Sequence, residues 1–174
     1  MLLIVALGAA LLGAPGNGTL QEYAVQRSVE FTLHLDGSAD GAFPLFDPVN
    51  EKKWDPHWHP RLLTPHVEEG LVFLVGEGAS RTTWFLDRYE PKRRHIAYVV
   101  VSSAVLTRIV IDVLPTARGC DATVQYVKTP LEPAAEQAVD EFVRHFPQQR
   151  AHWESAINAV LRRSSGAHTK RLGG

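Results

Sequence analysis

The residues best equipped for chemistry stand together in Trp54-Asp55-Pro56-His57-Trp58-His59-Pro60. Asp55 could give or take a proton as a carboxyl group, and the imidazoles of His57 and His59 titrate near neutrality. Two prolines keep the stretch out of regular helix, and two tryptophans bring large apolar area. Such a segment suits the rim or lining of a ligand pocket, or a rigid loop that plugs one end of a core. With His66, the two histidines offer imidazoles to a metal. No acidic or cysteine partner stands at a recognisable spacing, so no metal is expected. The further titratable candidates are Asp87, His95 and Tyr98. The chain has no nucleophile elbow, phosphate-cradling glycine loop, metal-binding helix pair or dinucleotide fingerprint. Gly76-Glu77-Gly78 lacks the strand-to-helix context of a nucleotide site and reads as a hairpin loop, so no cofactor is expected.

Composition narrows the partners. Lysine plus arginine number 18 against 19 aspartates and glutamates, with no basic stripe interleaved with aromatics, so nothing favours a nucleic acid. A chain of 174 residues, 45% hydrophobic and 21% charged, suits one domain with a substantial core. The single cysteine, Cys120, rules out an internal disulfide and a cysteine-rich zinc site. Gly119 and Asp121 beside it suggest a hairpin turn, which gives no cause for a depressed thiol pKa.

Residues 2–12 are almost wholly apolar and run into Gly13-Ala14-Pro15-Gly16. That is too short for a bilayer span of ~20 residues, so no stable membrane span is expected, but it matches the apolar core of a secretory signal. The expected organisation is a signal peptide or hydrophobic segment over 1–16, a domain over 24–163 and a flexible tail over 164–174. Location would be periplasmic or secreted, or cytoplasmic if the segment is not a signal.

The elements that must position the chemistry follow from periodicity. Val25, Val29, Phe31, Leu33 and Leu35 share one parity, and Gln26, Ser28, Glu30, Thr32 and His34 the other, which predicts a strand with one wet face. Asp36-Gly37-Ser38 stops it. Ser38 or Asp40 can cap one short helix through Phe46, and Asp47-Pro48 a second through Lys53. Turn-punctuated strands are predicted over 62–68, 71–76, 82–89, 95–102, 106–114 and 122–129. Close spacing without intervening helices favours antiparallel pairing. The run Val99-Val100-Val101 suggests burial on both faces or a bend. On the 82–89 strand, the more apolar pair, Trp84 and Leu86, is expected to face inward, with Arg88 near a cavity mouth and Asp87 outside. From Pro133 to Arg163, Val139, Phe142, Val143, Phe146, Trp153, Ile157, Val160 and Leu161 recur at helical spacing. Pro147 predicts a kink or two abutting segments.

The order is a strand, two short helices, about six antiparallel strands and a long amphipathic helix. With Phe43-Pro44-Leu45-Phe46-Asp47-Pro48-Val49-Asn50-Glu51-Lys52-Lys53-Trp54, the following Asp55-to-Pro60 loop, Thr82-Thr83-Trp84, Arg88-Tyr89-Glu90-Pro91 and Trp153-Glu154 through Asn158-Ala159-Val160-Leu161, it resembles the START-like (SRPBCC) superfamily. The nearer likeness is to bacterial polyketide cyclase/dehydratase-like members, over about Val25 to Leu161. The resemblance implies an α+β helix-grip fold, as in the birch-pollen allergen: a curved antiparallel sheet of about seven strands gripping the C-terminal helix. Many relatives have glycine where His57 stands. The resemblance also implies a hydrophobic or amphipathic small molecule held between sheet and helix. The expected lining is Phe31, Leu33, Trp54, Trp58, Trp84, Leu86, Ile109, Ile111, Tyr126, Phe142, Phe146 and Trp153. Catalysis is not implied, because carriers, receptors and cyclases share this scaffold. Carriage is the leading expectation. The alternative is a cyclase or dehydratase with Asp55, His57 or His59 pointing inward as acid or base.

Overall fold

Alternation in the first strand is reproduced in β1 (Arg27–Leu35) of the computed structural model, which describes residues 24–172. The apolar run at 2–12 and its expected cleavage site lie outside the described residues. Ser38 caps α1 (Ala39–Ala42), its Oγ accepting from the Gly41 N–H at 3.2 Å. Two 3-10 turns follow, Phe43–Phe46 and Glu51–Lys53. Then come β2 (Arg61–Leu62), β3 (Val72–Val75), β4 (Thr82–Glu90), β5 (His95–Val101), β6 (Val105–Thr116) and β7 (Gly119–Pro130). They form one seven-stranded antiparallel sheet in the order β1-β7-β6-β5-β4-β3-β2.

Opposed residues of antiparallel strands share a face, so the register defines the inner surface row by row. Leu33, Ala122 and Val113 make one row, and Phe31, Val124, Ile111 and Ile96 the next. Ile109 stands between Tyr98 and Tyr126, and Thr107 between Val100 and Lys128. At the β6–β7 hairpin, Gly119 lies so close to the Leu35 carbonyl oxygen that a Cβ there would overlap it.

Three local expectations change. The predicted strand over 62–68 shrinks to Arg61–Leu62. Pairing continues only as far as the Leu63 N–H donating to Val72, because Pro65 has no N–H and the chain turns away. In β4 the register shifts between Leu86 and Arg88, a bulge at Asp87 that reverses the parity beyond it. Trp84 and Leu86 do face inward, but the next inward residue is Tyr89, stacked on Phe43 at 5.9 Å. Arg88 instead sits on the outer face with Glu69 at 2.8 Å, not at a cavity mouth. The valine run is buried on one face only: Val100 packs in the core, whereas Val101 is 42% exposed.

After a 3-10 turn at Pro133–Ala135, the C-terminal stripe folds as α2 (Glu136–His145), a 3-10 turn at Phe146–Gln148 and α3 (Gln149–Leu172). Pro147 lies inside that turn, where its missing N–H and ring deny the α-helical bond, so the two segments abut as predicted. The apolar stripe ends at Leu161, but α3 continues to Leu172, so the segment from 164 begins inside the helix.

The edge strand β1 has backbone groups that no neighbouring strand can satisfy, and α3 supplies partners for them. Glu154 accepts from the His34 N–H at 2.8 Å. Asn158 accepts from the Asp36 N–H at 2.8 Å and donates to the His34 carbonyl at 3.0 Å. Arg162 adds a 2.7 Å contact to the Asp36 carboxylate. Beneath this seam Leu33, Val113, Ala122 and Ile157 are sealed completely from solvent.

Candidate functional site

The Trp54–Pro60 loop is built from the inside outward. The buried Trp54 indole donates to the Leu45 carbonyl at 2.7 Å, and the buried Trp58 indole donates to Pro48 at 2.8 Å. Each ring thereby buries its apolar face without orphaning its N–H. Asp55 Oδ1 is engaged locally by the His57 N–H at 2.9 Å. With the tryptophans turned in, His57 and His59 turn out. Both are exposed and line a groove of about 390 Å3 with Arg61, Glu77 and Arg81, beside the loop between β3 and β4. Neither points into the space between sheet and helices as the acid–base alternative required. His66 is exposed, and among the described residues no three His, Cys, Asp or Glu side chains cluster as a metal site. His95 pairs with Asp112 at 2.7 Å, on the opposite sheet face from Ile96.

The interior site lies at the other end of the inner face. A cavity of about 290 Å3 is lined by Thr82, Trp84, Val100, Ser102, Val105, Thr107, Ile109, Tyr126 and Lys128. Strand register explains the set: Trp84, Val100, Thr107 and Lys128 form one inward row across β4 to β7, with Ile109 and Tyr126 in the next. α2 covers the Lys128 side. The Phe142 ring lies 4.1 Å from Lys128 Nζ and 5.4 Å from the Tyr126 ring, and Phe146 packs on both Phe142 and Tyr126.

Of the expected lining residues, Trp84, Ile109 and Tyr126 border this cavity and Phe142 covers its side. Phe31, Phe146, Trp153 and Trp54 form a connected aromatic cluster, with Phe31 and Phe146 stacked at 4.9 Å and the two tryptophans 5.2 Å apart. Trp58 meets Trp84 edge-on at 5.3 Å and supports it from behind. Leu33, Leu86 and Ile111 belong to the packed core.

Two polar residues went unnoticed in the sequence. Lys128 shares the parity of Val124 and Tyr126 on β7, which was sufficient to place it inward. Burial lowers its pKa, because the ammonium form is the one that loses hydration. Glu51 carried no such signal, since it sits in a one-turn 3-10 segment. Burial raises its carboxyl well above the ordinary glutamate range, helped by the negative charges of Asp55 and Asp47. Its own charge, in turn, raises the phenols of Tyr98 and Tyr126, second to their burial. The carboxyl group thus acts electrostatically on two inward-facing tyrosines. Tyr98 donates to the Phe46 carbonyl at 2.8 Å and so ties the sheet to the short-helix segment that carries Glu51.

No family model matches the chain, and no curated protein matches it in sequence. Solved structures match it clearly in shape. A norcoclaurine synthase of Thalictrum flavum, solved with a transition-state analogue, superposes with a TM-score of 0.65 over 83% of this chain and 99% of its own, at 15% identity. Ara h 8.0201 gives 0.60 over 79% and 99%, at 13% identity. An uncharacterised Rhizobium leguminosarum protein gives 0.57 over 80% and 97%, at 12% identity. This is the helix-grip fold. In this fold α2 and α3 are the gripped helix, and the α1 region with its 3-10 turns closes one end of the sheet. At these identities the likeness establishes the helix-grip architecture and leaves the chemistry to the side chains.

Proposed function

We propose that this helix-grip protein binds a hydrophobic or amphipathic small molecule in the cavity beneath α2. The observation that carries the reading is the cavity itself: about 290 Å3 walled by Trp84, Val100, Val105, Ile109 and Tyr126, with few polar groups. That composition is typical of small-molecule sites. A second norcoclaurine synthase structure of the same fold holds dopamine and hydroxybenzaldehyde, which supports a small aromatic guest. No helix among the described residues is long and apolar enough to cross a membrane. Native mass spectrometry of purified protein, followed by extraction, tests the reading. A dominant apolar adduct is expected. An empty protein that also fails to bind across a lipid and aromatic panel would overturn it.

A second reading, acid–base catalysis on the bound guest, draws on the Glu51 carboxyl, which lies outside the cavity lining but whose charge acts on Tyr126, a lining residue. It differs from the cyclase or dehydratase alternative built on Asp55, His57 or His59, of which the two histidines face solvent. A guest consumed by wild type but only bound by Glu51→Gln would establish it, and equal turnover would remove it. Export through the segment at 1–16 also belongs to the proposal. N-terminal sequencing of mature protein should then begin near residue 17.

A further inference from the structure

Lys128 is the one charged residue in the cavity lining. Its Nζ donates to Thr107 Oγ1 at 3.1 Å and lies against the Phe142 ring, and among the described residues no carboxylate pairs with it. An ammonium has three donors, so this one retains capacity. The Thr82 and Ser102 hydroxyls are already committed. Thr82 Oγ1 donates to Val75 and accepts from the Trp84 indole, and Ser102 Oγ donates to Val105 and accepts from its N–H. No aspartate or glutamate lines the cavity. A half-buried cation without a counter-ion bears a desolvation cost. An anion entering between these walls would meet it where attraction is stronger than in water.

We infer that the cavity selects guests with an apolar body and a single anionic head, a carboxylate or sulfonate. Lys128 anchors the head, Thr107 orients the amine, and Trp84 and Ile109 take the body. This rests on the ligand-binding reading above and adds the charge of the ligand to it.

Two fluorescent probes with the same aromatic frame separate the two claims: anilinonaphthalene sulfonate, which carries the anion, and uncharged N-phenylnaphthylamine. Wild type should bind the sulfonate about tenfold more tightly, the scale of one charge-assisted hydrogen bond. Lys128→Met should abolish that preference and leave the uncharged probe within about twofold, since its apolar contacts persist. Lys128→Arg should retain the preference, and Ile109→Trp, which fills the cavity, should weaken both probes. If Lys128→Met does not fold, Lys128→Gln reads the same difference. Equal affinities in wild type, or a preference that survives Lys128→Met, would overturn the anionic anchor while the cavity stands. Sulfonate binding untouched by Ile109→Trp places the probe elsewhere and also overturns it. Failure of both probes to bind wild type would overturn the ligand-binding reading itself.

Discussion

The two halves of the sheet's inner face are built on different terms. Under α3, Leu33, Val113, Ala122 and Ile157 are fully sealed, and Glu154 and Asn158 stitch the helix to the backbone of β1. Under α2 the polar ties to the sheet thin out, with the Arg27–Asp140 pair at 2.7 Å on the surface and Lys128 against Phe142 beneath. Contact there is aromatic, through Phe142 and Phe146 on Tyr126, and the face beyond them opens into the cavity. Directional hydrogen bonds fix one end of the gripped helix, while stacked rings, which tolerate small shifts, cover the other. The Phe146–Gln148 turn separates the two regimes. A clamp and a lid share one helical arm.

This contrast can be broken by mutation. Leu33→Ala in the clamp should cost about 3 kcal/mol in urea unfolding, against about 1–2 for Ile109→Ala beside existing space. Equal costs would mean that the two halves are packed alike. Asn158→Ala leaves the Asp36 N–H and the His34 carbonyl short of partners and should cost about 2 kcal/mol. A change no larger than a surface substitution, about 0.5 kcal/mol, would remove the clamp. Phe142→Ala in the lid should weaken apolar probe binding several-fold while costing about 1 kcal/mol in stability, part of it the Lys128 contact.

Glu51→Gln tests the short-helix segment with an unusual sign. The folded-state pKa of Glu51 is raised, so the native state holds the proton longer than the unfolded chain does. Its contribution is fully present below the unfolded value, about 4.3, and is lost as pH rises through the folded value. Glutamine should therefore raise the melting temperature relative to wild type at neutral pH, and the gain should vanish below about pH 4. A gain independent of pH would show that the carboxyl is not buried as described. The smallest effect belongs to Cys120. Burial pushes its thiol up to about 11, so a disulfide reagent at neutral pH should label it only after unfolding.

Much of the helix grip could be read from the chain because periodicity is a local property. Val29, Phe31, Leu33 and Leu35 had one wet alternative face, and the stripe from Val139 to Leu161 had one helical side. The same rule failed at Asp87, where a bulge reversed the parity and sent Arg88 outward. A bulge is decided by the partner strand, so the 82–89 segment alone could not reveal it. The Trp54–Pro60 loop shows the same limit for the site. Its residue types suggested tryptophans and histidines working together, yet the indoles bond to Leu45 and Pro48 inside and leave His57 and His59 outside.

The sequence by itself therefore determined the strand-rich body, the long helix with its break at Pro147, and the apolar faces that must meet. Alternation and helical period are set by backbone geometry, which needs no knowledge of neighbours. Only the tertiary structure decided where the space is left and that Lys128 faces it. Lys128 reaches the cavity through its register on β7. Glu51, 77 positions earlier in sequence, acts on Tyr98 and Tyr126 because the short-helix segment is tied to β5 through the Tyr98 hydroxyl. Each pKa is shifted chiefly by the burial of its own group, a property of the assembled volume and not of either segment.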